Sequence, residues 1–216
     1  MGWFKDLLGT SNWQTAAPTP TVASGPLGMA QGKGVRFDST LALLLDGSTS
    51  VQVPAAEAIW SAGWIDLGQS NKLHRYYLNN EDFWLQIHVT GDDQIESVTL
   101  FNYLSYVTVN SDAELQRLAG PASPIGLPIY THDGVQYSRE WGTEQGQTEL
   151  VPMTEHVVNP DESYTIEHHS MLYARETGLT DRRELLLFSV EQDEEGTVSL
   201  STSLGISLYT TDLSTI

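Results

Sequence analysis

The chain has 216 residues, with 10 Lys+Arg against 28 Asp+Glu, and so a formal charge of −18 at pH 7. A field of that sign repels phosphate backbones, which argues against nucleic-acid binding. With 40% hydrophobic residues, six Trp and nine Tyr the chain can bury an ordinary core, and with no cysteine it has no disulfide, thiolate metal site or thiol nucleophile.

At the N-terminus, Trp3, Phe4, Leu7 and Leu8 recur at i, i+1, i+4 and i+5, which places four large apolar side chains on one side of a short amphipathic helix over residues 1–9. Residues 10–34 are rich in Thr, Ser, Ala, Pro and Gly and read as a flexible linker. An apolar knob on a tether is a docking design, so Trp3, Phe4, Leu7 and Leu8 are candidate contacts to a protein partner or, peripherally, a bilayer. The segment lacks the basic and continuous apolar parts of a secretory signal. The longest apolar runs, Leu41 to Leu45 and Leu185 to Phe188, fall far short of the roughly 20 residues of a membrane helix. The expectation is a cytoplasmic protein without a transmembrane segment, able to sit at the inner face of the membrane through its N-terminus.

From residue 35 to 216 the pattern is β-rich. Asp38-Ser39-Thr40 caps a short helix, Leu41 to Leu45. Phe83 to Val89 reads as a strand with Phe83, Leu85, Ile87 and Val89 on one face and Trp84, Gln86 and His88 on the other. After a turn at Gly91-Asp92-Asp93, Ile95 to Val109 returns with Leu104 and Tyr106 in one register and Phe101, Tyr103 and Val107 in the other. Ser111 to Glu114 is a capping box that starts a helix ending at Gly120-Pro121. Asp133-Gly134 joins Ile129 to His132 and Val135 to Trp141 as a tight hairpin. Leu150 to Val158 and Tyr164 to Ala174 are further strands, and Glu184 to Val190 pairs with Thr197 to Tyr209 around the acidic turn Asp193-Glu194-Glu195. This last hairpin echoes the one around Gly91 to Asp93. The fold expected is mainly β (β-rich α+β), with antiparallel barrel-like or sandwich-like sheets and a few short helices. Two similar β subdomains divide near residues 111–126.

Most motif-borne chemistry is absent. The Gly28 to Gly34 stretch misses the Walker and dinucleotide patterns, and Gly68 to Lys72 lacks the closing glycine of a nucleophile elbow. Six histidines show neither His-Glu-x-x-His nor His-x-His spacing, and on one strand His168 and His169 point to opposite faces, so no metal site and no cofactor are expected. Acidic pairs at hairpin tips serve solubility and block edge pairing. The many aromatics serve core packing, with a carbohydrate or peptide platform as the alternative.

Phe37 to Leu44, Gly68-Gln69-Ser70 with Tyr76-Tyr77-Leu78 and Asp82 to Gln86, Gly126-Leu127-Pro128 with Tyr137 to Trp141, and Leu172 to Thr177 together resemble the YjfK-like family of uncharacterised bacterial proteins. The family has no assigned reaction. The resemblance implies a companion of PspA-like membrane-stress proteins. The functional expectation is accordingly a non-catalytic adaptor of a bacterial envelope-stress system, docking through Trp3, Phe4, Leu7 and Leu8 and an acidic body. The rival is a small-molecule-binding module or enzyme with a cleft between β subdomains, for which His88, His132 and Arg139 are the first candidates.

Overall fold

Fourteen helices and strands build the part of the protein described by its computed structural model, residues 24–91 and 93–216. In chain order they are β1 (Gly34–Phe37), α1 (Leu41–Leu45), β2 (Glu57–Gly68), β3 (Asn71–Leu78), β4 (Phe83–Thr90), β5 (Gln94–Val109), α2 (Asp112–Ala119), β6 (Ile129–His132), β7 (Val135–Arg139), β8 (Val151–Val158), β9 (Ser163–Glu176), β10 (Arg183–Gln192), β11 (Val198–Leu208) and β12 (Leu213–Thr215). The docking residues Trp3, Phe4, Leu7 and Leu8, and most of the expected linker, lie outside the described residues.

The architecture is an antiparallel barrel. Strands pair in the order β12-β1-β2-β3-β4-β5-β11-β10-β9-β7-β6, and β8 bridges β2 and β9. Eight strands, β2-β3-β4-β5-β11-β10-β9-β8, thereby close into a ring. Closure removes the exposed edges that an open sheet of this length would present. Each half of the ring is a four-stranded meander, β2 to β5 and β8 to β11. The halves join last strand to last strand, β5 with β11, and first to first, β2 with β8. The two hairpins that look alike in sequence, β4–β5 and β10–β11, hold corresponding places in the two halves. The halves meet through paired strands, and residues 111–126 hold α2 and a loop, of which Leu115, Leu118 and Ile125 pack on the apolar core.

Local signals explain the turns and caps. Asp133-Gly134 has positive φ at both positions (47° and 80°), the geometry a two-residue hairpin of this hand requires. Gln69-Ser70 does the same at 53° and 63°, joining β2 to β3 without a glycine at either position. At α2 the Ser111 hydroxyl accepts from the Glu114 amide (3.2 Å), while the Glu114 carboxylate accepts from the Asn110 amide (2.9 Å), one residue earlier than a capping box predicts. At α1, Leu41 and Leu45, one turn apart, are buried.

The largest apolar cluster lies on the outer face of one flank of the barrel. Leu85, Ile87, Leu100, Ile206, Leu186, Met171 and Tyr173 come from five adjacent strands and are covered by Met29, Val35, Phe37, Leu41, Leu45, Val51 and Leu213. Each such side chain removed from water contributes roughly 1.5–3 kcal/mol. Residues 24–34, the end of the expected linker, belong to this cover: a turn at Pro26–Gly28 leads into Met29, which is fully buried. Glu184 anchors the covering segment. Its carboxylate accepts from the Ser50 amide (3.0 Å), Tyr137 (2.5 Å), Arg175 (2.6 Å) and the Thr49 hydroxyl.

Candidate functional site

The opposite faces of the same strands turn into the barrel. Trp84 from β4, Phe101 from β5 and Leu187 from β10 meet in one interior cluster with Tyr77, Tyr103 and Leu172. Trp84 and Phe101 stack with centroids 4.2 Å apart. Beside them runs a buried polar network, so the lumen is filled by side chains of mixed character, as eight strands allow.

The network centres on Glu155, which is wholly buried. It accepts from Arg75 Nη1 (2.8 Å), from the Tyr77 hydroxyl (2.9 Å) and from His168 Nε2 (3.0 Å). Arg75 in turn donates to Gln86 (3.1 Å) and lies 5.0 Å from the centroid of the Trp84 ring. Burial opposes the Glu155 charge, but the Arg75 charge, His168 and the Tyr77 hydroxyl more than offset it and hold the carboxyl down at about 2. Burial likewise opposes the Arg75 charge, and Glu155 reverses that, so the guanidinium pKa is raised. Room for the pair comes from Gly63 on β2, where a Cβ would collide with the Glu155 carboxylate.

Above this floor the barrel opens. A cavity of about 130 Å³ lies between strands of both meanders, walled by Tyr77, Tyr103, Tyr106, Tyr164, Val157 and His168. Its rim carries Glu162, Asp193, Glu194 and Glu195, and Glu191 stands deeper on the inner face of β10. A bulge shapes the wall. The register of β5 against β11 shifts where Ser203 faces Tyr103 and Thr202 faces Ser105. The extra residue, Leu104, is left half-exposed, and Tyr103 and Tyr106, three apart, both line the cavity. This corrects the simple alternation, which placed those two tyrosines on opposite faces. Burial first, then Glu191 and Glu155, raises the Tyr103 pKa well above its usual value; for Tyr77 it is burial and then Glu155. Burial pushes Tyr164 up to about 12. The wall is therefore neutral phenol, with π-faces and hydroxyls, under an anionic rim.

Ser189, His168 and Glu155 stand in a line of contacts, Oγ to Nδ1 at 3.0 Å and Nε2 to Oε2 at 3.0 Å, which has the connectivity of a hydrolytic triad. Three facts set it apart from one. Ser189 is 3% exposed and is not part of the cavity wall. Glu155 is already committed to Arg75 and Tyr77. Ser189 is shared with Ser170 at 2.9 Å. The line is a structural floor.

The cleft candidates from the sequence are dispersed. His88 lies on β4 beyond Gln86, half-buried against Asn71 Oδ1 (3.1 Å). His132 ends β6, 3.6 Å from Asp133. Arg139 ends β7, where its buried guanidinium donates to the carbonyls of Gly126, Glu144 (2.5 Å) and Gly146 (2.8 Å), binding two loops together. Among the described residues no hydrogen bond, ion pair or ring contact joins the three. His168 and His169 do point to opposite faces, one buried and one exposed. The groups that sequence reasoning misses, Arg75 and Tyr77 on β3, Tyr103 on β5, Glu155 on β8 and Glu191 on β10, come from four strands, and no spacing could have collected them across those strands. The one available signal is a polar residue inside an apolar strand, as with Glu155 between Met153 and Val157.

A family model described as a protein of unknown function (DUF2491) matches residues 3–214. No curated protein and no solved structure matches the chain. Among the described residues no helix is long and apolar enough to cross a membrane.

Proposed function

We propose, for a chain that belongs to the DUF2491 family of unknown function, that it is a small-molecule-binding barrel whose ligand enters the open end of the lumen. One observation carries this reading: the cavity has a prepared floor, since the buried pair of Glu155 and Arg75 is fully engaged with Tyr77, His168 and Gln86 beneath a wall of tyrosines. A barrel needing only stability would fill this end with apolar side chains. The test is a screen of small polar compounds followed by protein NMR. Binders should shift the resonances of Tyr103, Glu191 and Ser199, and should lose affinity in Ser199→Leu, which fills the cavity from β11. Binders that leave those resonances unmoved and bind Ser199→Leu as before would refute the reading.

Beside it stands the adaptor role, supported by the apolar spacing of Trp3, Phe4, Leu7 and Leu8. In the YjfK-like, envelope-stress reading, a cytoplasmic body held peripherally at the inner membrane meets a PspA-like or other membrane-associated partner. Affinity capture with the full chain and with one lacking residues 1–9 tests it. A PspA-like partner held only by the full chain supports the role, and its absence from both removes it.

A further inference from the structure

We propose that the ligand of the mouth cavity is a small alkylammonium ion, its charged nitrogen set against Glu191 and its methylenes against the tyrosine rings. This rests on the barrel-mouth reading and adds the chemical class.

Charge comes first. Five carboxylates line the cavity, those of Glu162, Glu191, Asp193, Glu194 and Glu195, and no Lys or Arg does. Among the described residues no Lys or Arg forms an ion pair with any of them. The Arg75 guanidinium, in the network beneath the cavity, is committed to Glu155. Two of the five have local duties: Asp193 accepts from the Thr197 amide (2.7 Å) and Glu194 from Thr165 (2.8 Å). Glu191 is different. It stands on the inner face of β10, its side chain only 18% exposed, with the Ser201 hydroxyl at 2.5 Å and His168 Nδ1 at 3.9 Å. A carboxylate set that deep without a dedicated cation is costly unless a positive group joins it.

The wall supplies a second, independent sign. Tyr103 lines the cavity, burial has driven the pKa of its hydroxyl well up, and that hydroxyl has no hydrogen-bond partner among the described residues. It offers an acceptor oxygen to an N–H donor. Four tyrosine rings around a carboxylate make the surroundings in which an ammonium ion gains both ion pairing and cation–π attraction.

Size and chemistry exclude the other classes. About 130 Å³ is close to the roughly 150 Å³ cavity that accepts benzene, so the ligand has about six non-hydrogen atoms. A sugar ring with its hydroxyls exceeds that. An anion would meet five like charges. A divalent metal wants a shell of six or more oxygens, and no group of three or more acidic or histidine side chains among the described residues is arranged to hold one.

The experiment is calorimetric titration of the full chain with 1,4-diaminobutane and choline, against the uncharged 1,4-butanediol and the anionic succinate. Both cations are expected to bind and the other two to fail. At ten times Kd the melting temperature should rise by about 3–5 °C, and Glu191→Gln should weaken binding at least about tenfold. Equal binding of butanediol, or binding of succinate alone, would overturn the ammonium assignment while leaving the mouth as a ligand site. Binding of none of the four, in a protein whose Tyr103 and Glu191 resonances answer to other compounds, would overturn the assignment too. If those resonances answer to nothing, both readings fall. The wild-type comparisons need no variant, so they decide the matter even where Glu191→Gln is destabilised.

Discussion

The two faces of β10 divide this molecule. Outward, Leu186, Phe188 and Val190 join the apolar cluster beneath the N-terminal segments. Inward, Leu187, Ser189 and Glu191 stand among aromatic rings, hydroxyls and a buried ion pair. Each region also holds one buried glutamate. Glu184, outside, ties a covering segment to the sheet, while Glu155, inside, organises the cavity floor. The usual arrangement of a small barrel, apolar within and polar without, is thus altered along this flank: the outer face is apolar and covered, while the lumen mixes aromatic and aliphatic side chains with a polar network. Stability comes from what wraps the barrel, and the lumen is free to carry polar groups arranged for recognition.

Charge isolation inside should produce the largest effect. Arg75→Met leaves Glu155 buried without its cation and is expected to destabilise by about 3–5 kcal/mol in urea unfolding. The double variant Arg75→Met/Glu155→Leu should recover most of that, because the pair matters less than its imbalance. Outside, Leu186→Ala should lower the urea midpoint by the equivalent of about 2–5 kcal/mol, and no partner substitution will restore it, since the loss is a cavity. If Leu186→Ala were rescued like Arg75→Met, the contrast between the regions would fail. Gly63→Ala sets a Cβ against the Glu155 carboxylate and should cost about 1–3 kcal/mol in the same assay.

Proton linkage sharpens the comparison further. Glu155 and Glu184 both titrate below their ordinary value of 4.5, so the stability they confer is present above that pH and is lost as the pH falls, for Glu155 down to about 2. The melting temperature should therefore decline steadily below pH 4.5, and Glu155→Gln should flatten that slope more than Glu184→Gln, whose carboxyl sits on the outer surface of the barrel. At the alkaline end the sign reverses. Tyr77 and Tyr103 hold their protons in the fold, so stability is present below about pH 10 and declines above it as the unfolded chain ionises. Tyrosinate absorbance from these rings should then appear together with unfolding.

Much of the fold is legible in the residues. The alternation of Phe83 to Val89, the Asp133-Gly134 turn and the Ser111 cap each rest on contacts a few residues apart, and each appears as expected. The β2–β3 hairpin is not legible in the same way. Its first strand is rich in Ala, Ser and Gly, and its turn, Gln69-Ser70, places two ordinary residues at positive φ. Local propensity there is weak, and pairing with β8 and β3 supplies what the sequence does not advertise.

By itself the sequence determined an acidic, cysteine-free, mainly antiparallel β protein, because composition and period-two patterning act within a strand or a hairpin. Tertiary structure alone decided which face of each strand became lumen and which became outer core, since both faces are apolar enough to be buried. It also decided the site. Ring closure through β8 brings Glu155 to Arg75, 80 residues away, and a one-residue bulge turns Tyr103 and Tyr106 to the same side. Both depend on register between strands remote in sequence, which no local pattern encodes.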